Sequence, residues 1–410
     1  APVLSGQTGL YSGAFPAGLI RTDTNNIAPR VGFAWRVAQG TVLRGGYGIS
    51  YNSGSYSTMA RQMVNQPPFA ITNTATGGAG SPLALTDPLA TALPDQITND
   101  YGVALDYVLG KVQTYNADIS KDLTQVWSLG ASYTHIRGSD LDIVRAPNRG
   151  ADGLLLADVQ PFLWQSSEGS SRLHAAEFRL TRRPVRGLGA EVTYTLARSR
   201  DNASSMGGGG TVVAQNDQDL QAEWGLSSFD RRHQLTANLN VDLPFGTGRR
   251  FFTNGGVWAG LLGGWRFTTT YTWQSGTPLT VRVTGAASSV AQGTNGTLRA
   301  NYDGSLIYLS NPTIDHYFNT AAFSSPDAGT YGNSSRNLVI GPGSRLLNAQ
   351  FSRDLRLGGN RVMSLTLNAN NLLNTVNYGG VNTSVNSPSF GQITSVRPMR
   401  AMTFNVRFRF

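Results

Sequence analysis

The chain has 410 residues, a formal net charge of +9 and no cysteine. The lack of cysteine excludes disulfides, thiolate metal sites and cysteine nucleophiles. The longest purely apolar runs are only a few residues. They are far shorter than the roughly 20 residues that a spanning helix needs, which excludes a helical membrane protein. The 48 glycines and the aromatic content of 10% favour β-structure with many turns.

Alternating apolar and polar residues predict strands from the start of the chain. PRVGFAWRV and TVLRGGYGISYN, linked by AQG, predict a first hairpin. Residues 53–110 are rich in Pro, Gly, Ser and Thr and predict a large loop. KVQTYNADISK and VWSLGASYTH predict a second hairpin around the turn DLTQ, and a second loop is expected to run to about residue 171.

The same unit repeats in the second half of the chain. HAAEFRLTRR and LGAEVTYTLARS predict a hairpin around PVRG, and a third loop covers residues 200–229. HQLTANLNVDLPFG and WRFTTTYTWQ alternate strictly, with a longer Gly-rich connection between them. A fourth loop over residues 275–343 has room for small strands of its own. RLLNAQFSRDL and VMSLTLNANNLLN follow around the turn RLGGN, and a fifth loop leads to the terminal RAMTFNVRFRF.

The sequence therefore predicts about eleven strands of some ten residues each, and the links between them are alternately short and long. This pattern predicts an all-β fold, a transmembrane antiparallel up-and-down β-barrel with short turns in the periplasm and long loops outside. A soluble propeller also has alternating strands, but they are usually shorter, with less systematic loops. Bacterial single-chain barrels have even strand numbers, so eleven strands predict an open part of a larger barrel.

Several stretches occur in a specific order and spacing: NIAPRVGFAWR, FDRRHQLTANLNVDLPFG, WQSGTPLTV, YFNTAAFSSPDAGTYGNSSRNLVIGPG, NLLNTVNYGGVNTSVNSPSFGQITS and the final FRF. Together they resemble the carboxyl-terminal half of Oar-like TonB-dependent receptors. The resemblance implies an outer-membrane transporter with a 22-stranded barrel, an internal plug and often a small carboxypeptidase-regulatory-like domain. Residues 1–410 are then the carboxyl-terminal part of one barrel domain, without the plug and the amino-terminal domain.

The resemblance also implies a role for the last strand. Barrel assembly machinery recognises a terminal strand with alternating aromatics and a final Phe, which makes Phe404, Phe408 and Phe410 the expected assembly signal. These three residues share one face of an extended strand, while Arg407 and Arg409 share the other.

The opposite, polar face of the strands provides candidates for a working surface. Because charges facing lipid are costly, six arginines that alternate with apolar neighbours are expected to face the lumen. They are Arg36, Arg44, Arg179, Arg266, Arg407 and Arg409. They would contact acidic plug residues, an anionic substrate, or only water.

No motif in the sequence predicts catalysis or a cofactor. His135, His174, His233 and His316 lack metal-ligand spacing. Ser228, Asp230 and His233 are too close on one strand to form a nucleophile site easily. Asp217, Asp219 and Glu223 are a weak candidate for a calcium loop, because the twelve-position pattern with its glycine and closing glutamate is missing. We therefore expect that the protein is not an enzyme and that it holds no cofactor and no resident metal.

Two functions remain open: TonB-dependent transport across the bacterial outer membrane, or a structural or adhesive surface barrel whose long loops bind partner proteins. The expected partners are outer-membrane lipid, the assembly machinery, and the TonB system through the missing amino-terminal part. Tight groups of cations occur only in TRRPVRG, FDRRHQ and GTGRRFF, so we expect no nucleic-acid partner despite the positive charge.

Overall fold

The computed structural model describes residues 20–66, 69–70, 86, 101–150, 155, 162–203, 214–246, 248–254, 256–284 and 298–410. Strands dominate these residues, and the two α-helices are short, α1 at Ser55–Val64 and α2 at Val257–Leu262. Within the described ranges, neither is long and apolar enough to cross a membrane.

Eleven long strands, numbered in chain order together with six short ones, form the wall of the molecule. The long strands are β1 Arg30–Ala38, β2 Thr41–Tyr51, β4 Lys111–Asp122, β5 Trp127–Arg145, β6 Leu163–Val185, β7 Leu188–Asp201, β9 His233–Asp242, β10 Trp265–Gln274, β15 Ser344–Gly358, β16 Arg361–Asn370 and β17 Ala401–Arg409. The short strands are β3 Tyr101–Val103, β8 Gly225–Leu226, β11 Pro278–Leu279, β12 Asn301–Tyr302, β13 Phe323–Ser324 and β14 Val339–Ile340.

The long strands pair in the order of the chain, each antiparallel to the next. With β3 and β8 attached to β6 and β7, they make one sheet of 13 strands. The up-and-down all-β prediction is therefore confirmed.

The sheet has two chemically different faces, because residues that oppose each other across a ladder lie on the same face. On β17, Phe404 opposes Leu367 and Phe408 opposes Met363, whereas Asn405 opposes Thr366. Side chains of the apolar face are widely exposed, for example Phe33 at 57% and Phe404 at 59%. A soluble protein would bury such a continuous surface, so this face requires an apolar environment.

Connections at the two ends of the wall differ in length as predicted, except that the link between β9 and β10 is long although it lies at the end with the tight turns. Glycines with positive φ close the tight turns at one end: Gly40 at 69°, Gly187 at 77° and Gly359 at 58°. A left-handed backbone conformation favours glycine, so these turns are readable from the sequence. We call this the turn end. We call the opposite end the loop end; there the described parts of the connections between β2 and β4, β5 and β6, β7 and β9, β10 and β15, and β16 and β17 lie.

Two predicted boundaries are wrong. Strands β5 and β6 have 19 and 23 residues in place of about ten, and the second loop covers only residues 146–162. Their pairing continues through irregularities at Gly138/Leu141 and Leu141/Ile143, where strict alternation stops. Helices α1 and α2 lie in segments that the sequence predicted as loop and Gly-rich connection.

The loops at the loop end have small cores of their own. Residues of the fourth loop bury Val281, Phe318, Phe323 and Val339, and Phe390 from the fifth loop packs against them. Two ladders, β11 with β14 and β12 with β13, lie in the same loop, as the sequence suggested. The described part of the fourth loop is therefore a packed layer at the end of the wall.

The two edges of the wall are β1 and β17, and they do not pair with each other. Both strands run from the loop end to the turn end, since they are separated by an even number of antiparallel steps along the sheet. Direct pairing would give a parallel ladder, and the sheet is open, as expected for eleven strands.

The register of the terminal hairpin can be tested directly, because the chain has no native cysteine. Leu367 and Phe404 are directly opposed, so Leu367→Cys with Phe404→Cys should form a disulfide on mild oxidation. Leu367→Cys with Asn405→Cys is the control, and it should stay reduced because the two side chains point to opposite faces. Gel mobility with and without reductant measures both pairs. A cross-link in the control pair alone would show that the register is shifted by one residue.

Candidate functional site

All six arginines that were predicted for the lumen lie on the polar face of the sheet. Arg44 opposes Asp118, Asp118 opposes Ser132, and Ser132 opposes Glu177, two residues from Arg179. The same reading of the ladders places Arg36, Arg266, Arg407 and Arg409 on this face. The structure thus brings the six onto one surface, although they are spread over five strands.

Three of the six form ion pairs with carboxylates of the polar face. Arg44 is 3.0 Å from Asp118, and Arg179 is 2.6 Å from Glu177. Arg266 donates a 2.8 Å hydrogen bond to Asp242. Their side chains are more than half exposed, so these pairs add little to the free energy of folding. Their main effect is to set the charge pattern of the surface.

The other three arginines, Arg36, Arg407 and Arg409, make fewer contacts with neighbouring side chains. Arg409 lies 3.4 Å from the Ser364 hydroxyl, and that hydroxyl donates a 2.5 Å hydrogen bond to Asp354. Arg36 and Arg407 make no ion pair among the described residues. These cations border the open edges of the sheet, β1 and β17, which leaves them accessible.

A shallow depression lies on the polar face between β2 and β7. Arg44, Asp118, Glu177, Arg179 and Glu191 supply its charges. Serines, threonine and small residues of β4, β5 and β6 form its floor. Cations and carboxylates alternate over this surface, so it can hydrogen-bond a polar ligand or another protein segment. The depression provides binding groups and no nucleophile paired with a base.

A second charged cluster, at the loop end, was missed by the sequence analysis. Glu223 is fully buried and accepts hydrogen bonds from the Arg299 guanidinium at 2.6 Å, with Arg299 only 4% exposed. Gln215 joins the same cluster, since its amide oxygen accepts from the Arg299 backbone N–H at 3.0 Å. The pair connects the third loop to the fourth loop across 76 residues of sequence.

Two further ion pairs extend this cluster to the wall. Arg336 pairs with Asp201 at the end of β7, and both are buried. Arg145 at the end of β5 pairs with Asp217 at 2.7 Å and also contacts Glu168. Buried charges of this kind need partners, so the cluster fixes the third and fourth loops to the ends of β5 and β7.

The three acidic residues of the calcium hypothesis have separate partners. Asp217 binds Arg145, Glu223 binds Arg299, and Asp219 accepts a 3.2 Å hydrogen bond from the Ala222 backbone N–H. Their carboxylates are directed to cations and to a short helical turn, so they do not converge on one ion. Nor do three or more His, Asp or Glu side chains gather into a metal cluster elsewhere in the described ranges.

Three of the four histidines, His135, His174 and His233, take part in aromatic contacts on the apolar face. His135 and His174 stack with ring centroids 4.4 Å apart, and Tyr133 lies 2.8 Å from His174 Nδ1. His233 Nδ1 lies 2.8 Å from the Tyr194 hydroxyl. His135 lies in the middle of β5.

The Ser228, Asp230 and His233 group shows no catalytic arrangement. Asp230 is buried and accepts a 2.5 Å hydrogen bond from the Ser199 backbone N–H. Burial raises the pKa of Asp230, while this hydrogen bond opposes the shift. His233 contacts Tyr194, so the carboxylate and the imidazole are directed to different neighbours.

The buried pair at the loop end gives a mutational prediction. Arg299→Met leaves the Glu223 carboxylate buried without its cation, which should lower the local stability of the loop layer by about 3–5 kcal/mol. Arg44→Met breaks an exposed pair and serves as the control, with an expected loss below about 1 kcal/mol. Protease cleavage of the third and fourth loops in intact membranes, compared between the two variants, measures the effect. Equal cleavage rates would show that the buried pair does not hold the loops.

Comparison with known proteins agrees with this geometry. Residues 2–403 match the family described as outer membrane beta barrel domain. The outer membrane transporter YddB from Escherichia coli superimposes with a TM-score of 0.51 at 11% identity, covering 93% of this chain and 40% of YddB. The siderophore receptor PiuA from Acinetobacter baumannii gives a TM-score of 0.45 at 10% identity, covering 92% of this chain and 35% of PiuA.

The chain therefore spans well under half the length of these two structures. A search of curated proteins gave no match. The likeness to YddB supports the shared wall architecture, and the family match covers nearly the whole chain. The protein belongs to the outer membrane β-barrel domain family and resides in the bacterial outer membrane.

Proposed function

We propose that the chain is the carboxyl-terminal half of the barrel of an Oar-like TonB-dependent receptor, which carries a substrate across the outer membrane. The observation that supports this most strongly is the open sheet. Unpaired backbone N–H and C=O groups cost several kcal/mol each in lipid, so β1 and β17 both need antiparallel partners.

A second set of eleven strands satisfies both edges. If they precede β1 in the same up-and-down order, the last of them is antiparallel to β1 and the first is antiparallel to β17. The complete barrel then has 22 strands and an even count. A barrel of this size encloses a lumen that a plug fills, in keeping with the resemblance of the sequence to these receptors.

The polar face supplies the proposed inner surface of that barrel. Arg36, Arg44, Arg179, Arg266, Arg407 and Arg409 would then line the lumen, where the depression between β2 and β7 offers donors and acceptors to the plug or to a passing substrate. The loop layer at the loop end would face the outside and form the entrance. No catalytic role is assigned to either surface.

Transport can be tested without knowing the substrate. Deleting the gene should leave one or more small molecules in the growth medium that the wild-type strain removes, as measured by mass spectrometry of the spent medium. Because TonB transfers the energy of the inner membrane, a protonophore should abolish the same uptake in wild-type cells. If the deletion changes no medium component but removes attachment of the cells to surfaces or to other proteins, the adhesive barrel is the correct function.

The assembly role of the last strand gives a separate prediction. Phe404 and Phe408 are 59% exposed on the apolar face, and Phe410 follows directly after β17 with 98% exposure. Deleting Phe410 should lower the amount of folded full-length protein in the outer membrane severalfold at low expression, since the terminal recognition group is lost. Phe178→Ala, which removes an exposed aromatic from the same face of β6, is the control. Equal membrane levels for the two variants, measured by immunoblot, would mean that Phe410 only contributes to the wall.

A further inference from the structure

Three arginines form an unusual row on the apolar face of the wall. Arg137 on β5 directly opposes Arg172 on β6, and Arg172 directly opposes Arg200 on β7. All three are exposed. We call them the arginine row. It lies at the loop-end side of the sheet, on the face opposite to Arg44 and Arg179.

Like charges that face each other across strands destabilise a sheet, so such a row needs compensation. Among the described residues no ion pair involves any of the three arginines. Three carboxylates of the loop end have other partners. Asp201 pairs with Arg336, Glu168 contacts Arg145, and Asp230 binds a backbone N–H. Arg172 contacts an aromatic ring: its guanidinium lies 5.8 Å from the ring centre of Trp224.

The position of the arginine row along β6 indicates its depth in the membrane. Arg172 and Arg182 are ten residues apart on the same face of β6, about 33 Å along the strand. With a tilt of about 40°, this corresponds to about 25 Å across the membrane, the height of the apolar band of outer-membrane barrels. Leu180, Phe178 and Ala176 lie between them, followed by His174, which opposes Arg198 one step below the row. The arginine row therefore lies at the upper boundary of the apolar band.

Aromatic rings mark the same boundary. The rings of Tyr115, His135 and His174 stack across β4, β5 and β6, one step below the row. Amphipathic rings at this depth are typical of the membrane interface. The guanidinium groups thus lie where lipid headgroups begin, and they point away from the lumen.

We propose that the arginine row binds the phosphate groups of an anionic lipid headgroup in the outer leaflet. Guanidinium groups bind phosphate oxygens in a bidentate manner, and three of them in adjacent strands, about 5 Å apart, match a headgroup with more than one phosphate. The row is next to an apolar wall that accommodates the acyl chains of the same molecule. A soluble phosphate would lack this second contact, so we assign the site to a lipid. The proposal rests on the proposed orientation, with the loop end outside.

The test uses the full-length protein, purified in detergent, and counts bound lipid by native mass spectrometry. The probes are diphosphorylated lipid A and monophosphoryl lipid A, which share acyl chains and differ by one phosphate. Wild-type protein should retain the diphosphorylated form preferentially. Arg137→Gln, Arg172→Gln and Arg200→Gln together should weaken this binding at least about tenfold, because three charge-assisted contacts are lost.

The control removes three cations from the turn end of the same face: Lys121→Gln, Arg182→Gln and Arg353→Gln. Both triple variants have the same net charge. If the lipid bound through overall charge, binding would weaken equally in both variants, and that result would contradict the proposed site. Unchanged binding in the first variant would also overturn it, as would equal retention of the two lipid A forms by wild type. A triple Arg→Lys variant, which keeps the charge, should recover part of the binding. Uptake is not measured, so a negative result leaves the transport proposal untouched.

Discussion

Hydrogen bonding of the backbone between neighbouring strands is the constraint on which the whole structure depends. In a lipid layer no water is available to backbone N–H and C=O groups, so each strand needs a partner on both sides. Among the described residues, nine of the eleven long strands have a partner on both sides, and β1 and β17 have a partner on one side only. The antiparallel order and the apolar face follow from this constraint, and the proposed additional strands would satisfy it at the two edges.

Strand alternation made much of the wall predictable from the sequence. In the middle of β16 and β17, Met363, Leu365 and Leu367 oppose Phe408, Val406 and Phe404, so the apolar residues that alternate in each strand meet on one face. Short turns were predictable because positions such as Gly40 and Gly187 need a backbone conformation that glycine adopts easily. The shared face of the six arginines follows from the same alternation.

The loop end was not predictable for physical reasons. Strands β5 and β6 continue beyond the apolar band, where both faces meet protein or water and alternation no longer has a cause. Partners in the buried cluster, such as Glu223 and Arg299 or Asp201 and Arg336, are 76 and 135 residues apart, and nothing near either residue indicates the other. The arginine row likewise becomes visible only when the registers of three strands are known.

The central claim is that the face with Phe404 and Leu367 contacts lipid and the face with Thr366 and Asn405 contacts water. Single cysteines at residues 363–368 of β16, each carrying a spin label, test it in reconstituted membranes. Oxygen, which concentrates in lipid, should relax labels at positions 363, 365 and 367, and a water-soluble nickel chelate should relax those at 364, 366 and 368. Uniform accessibility to the nickel chelate at all six positions would contradict the account.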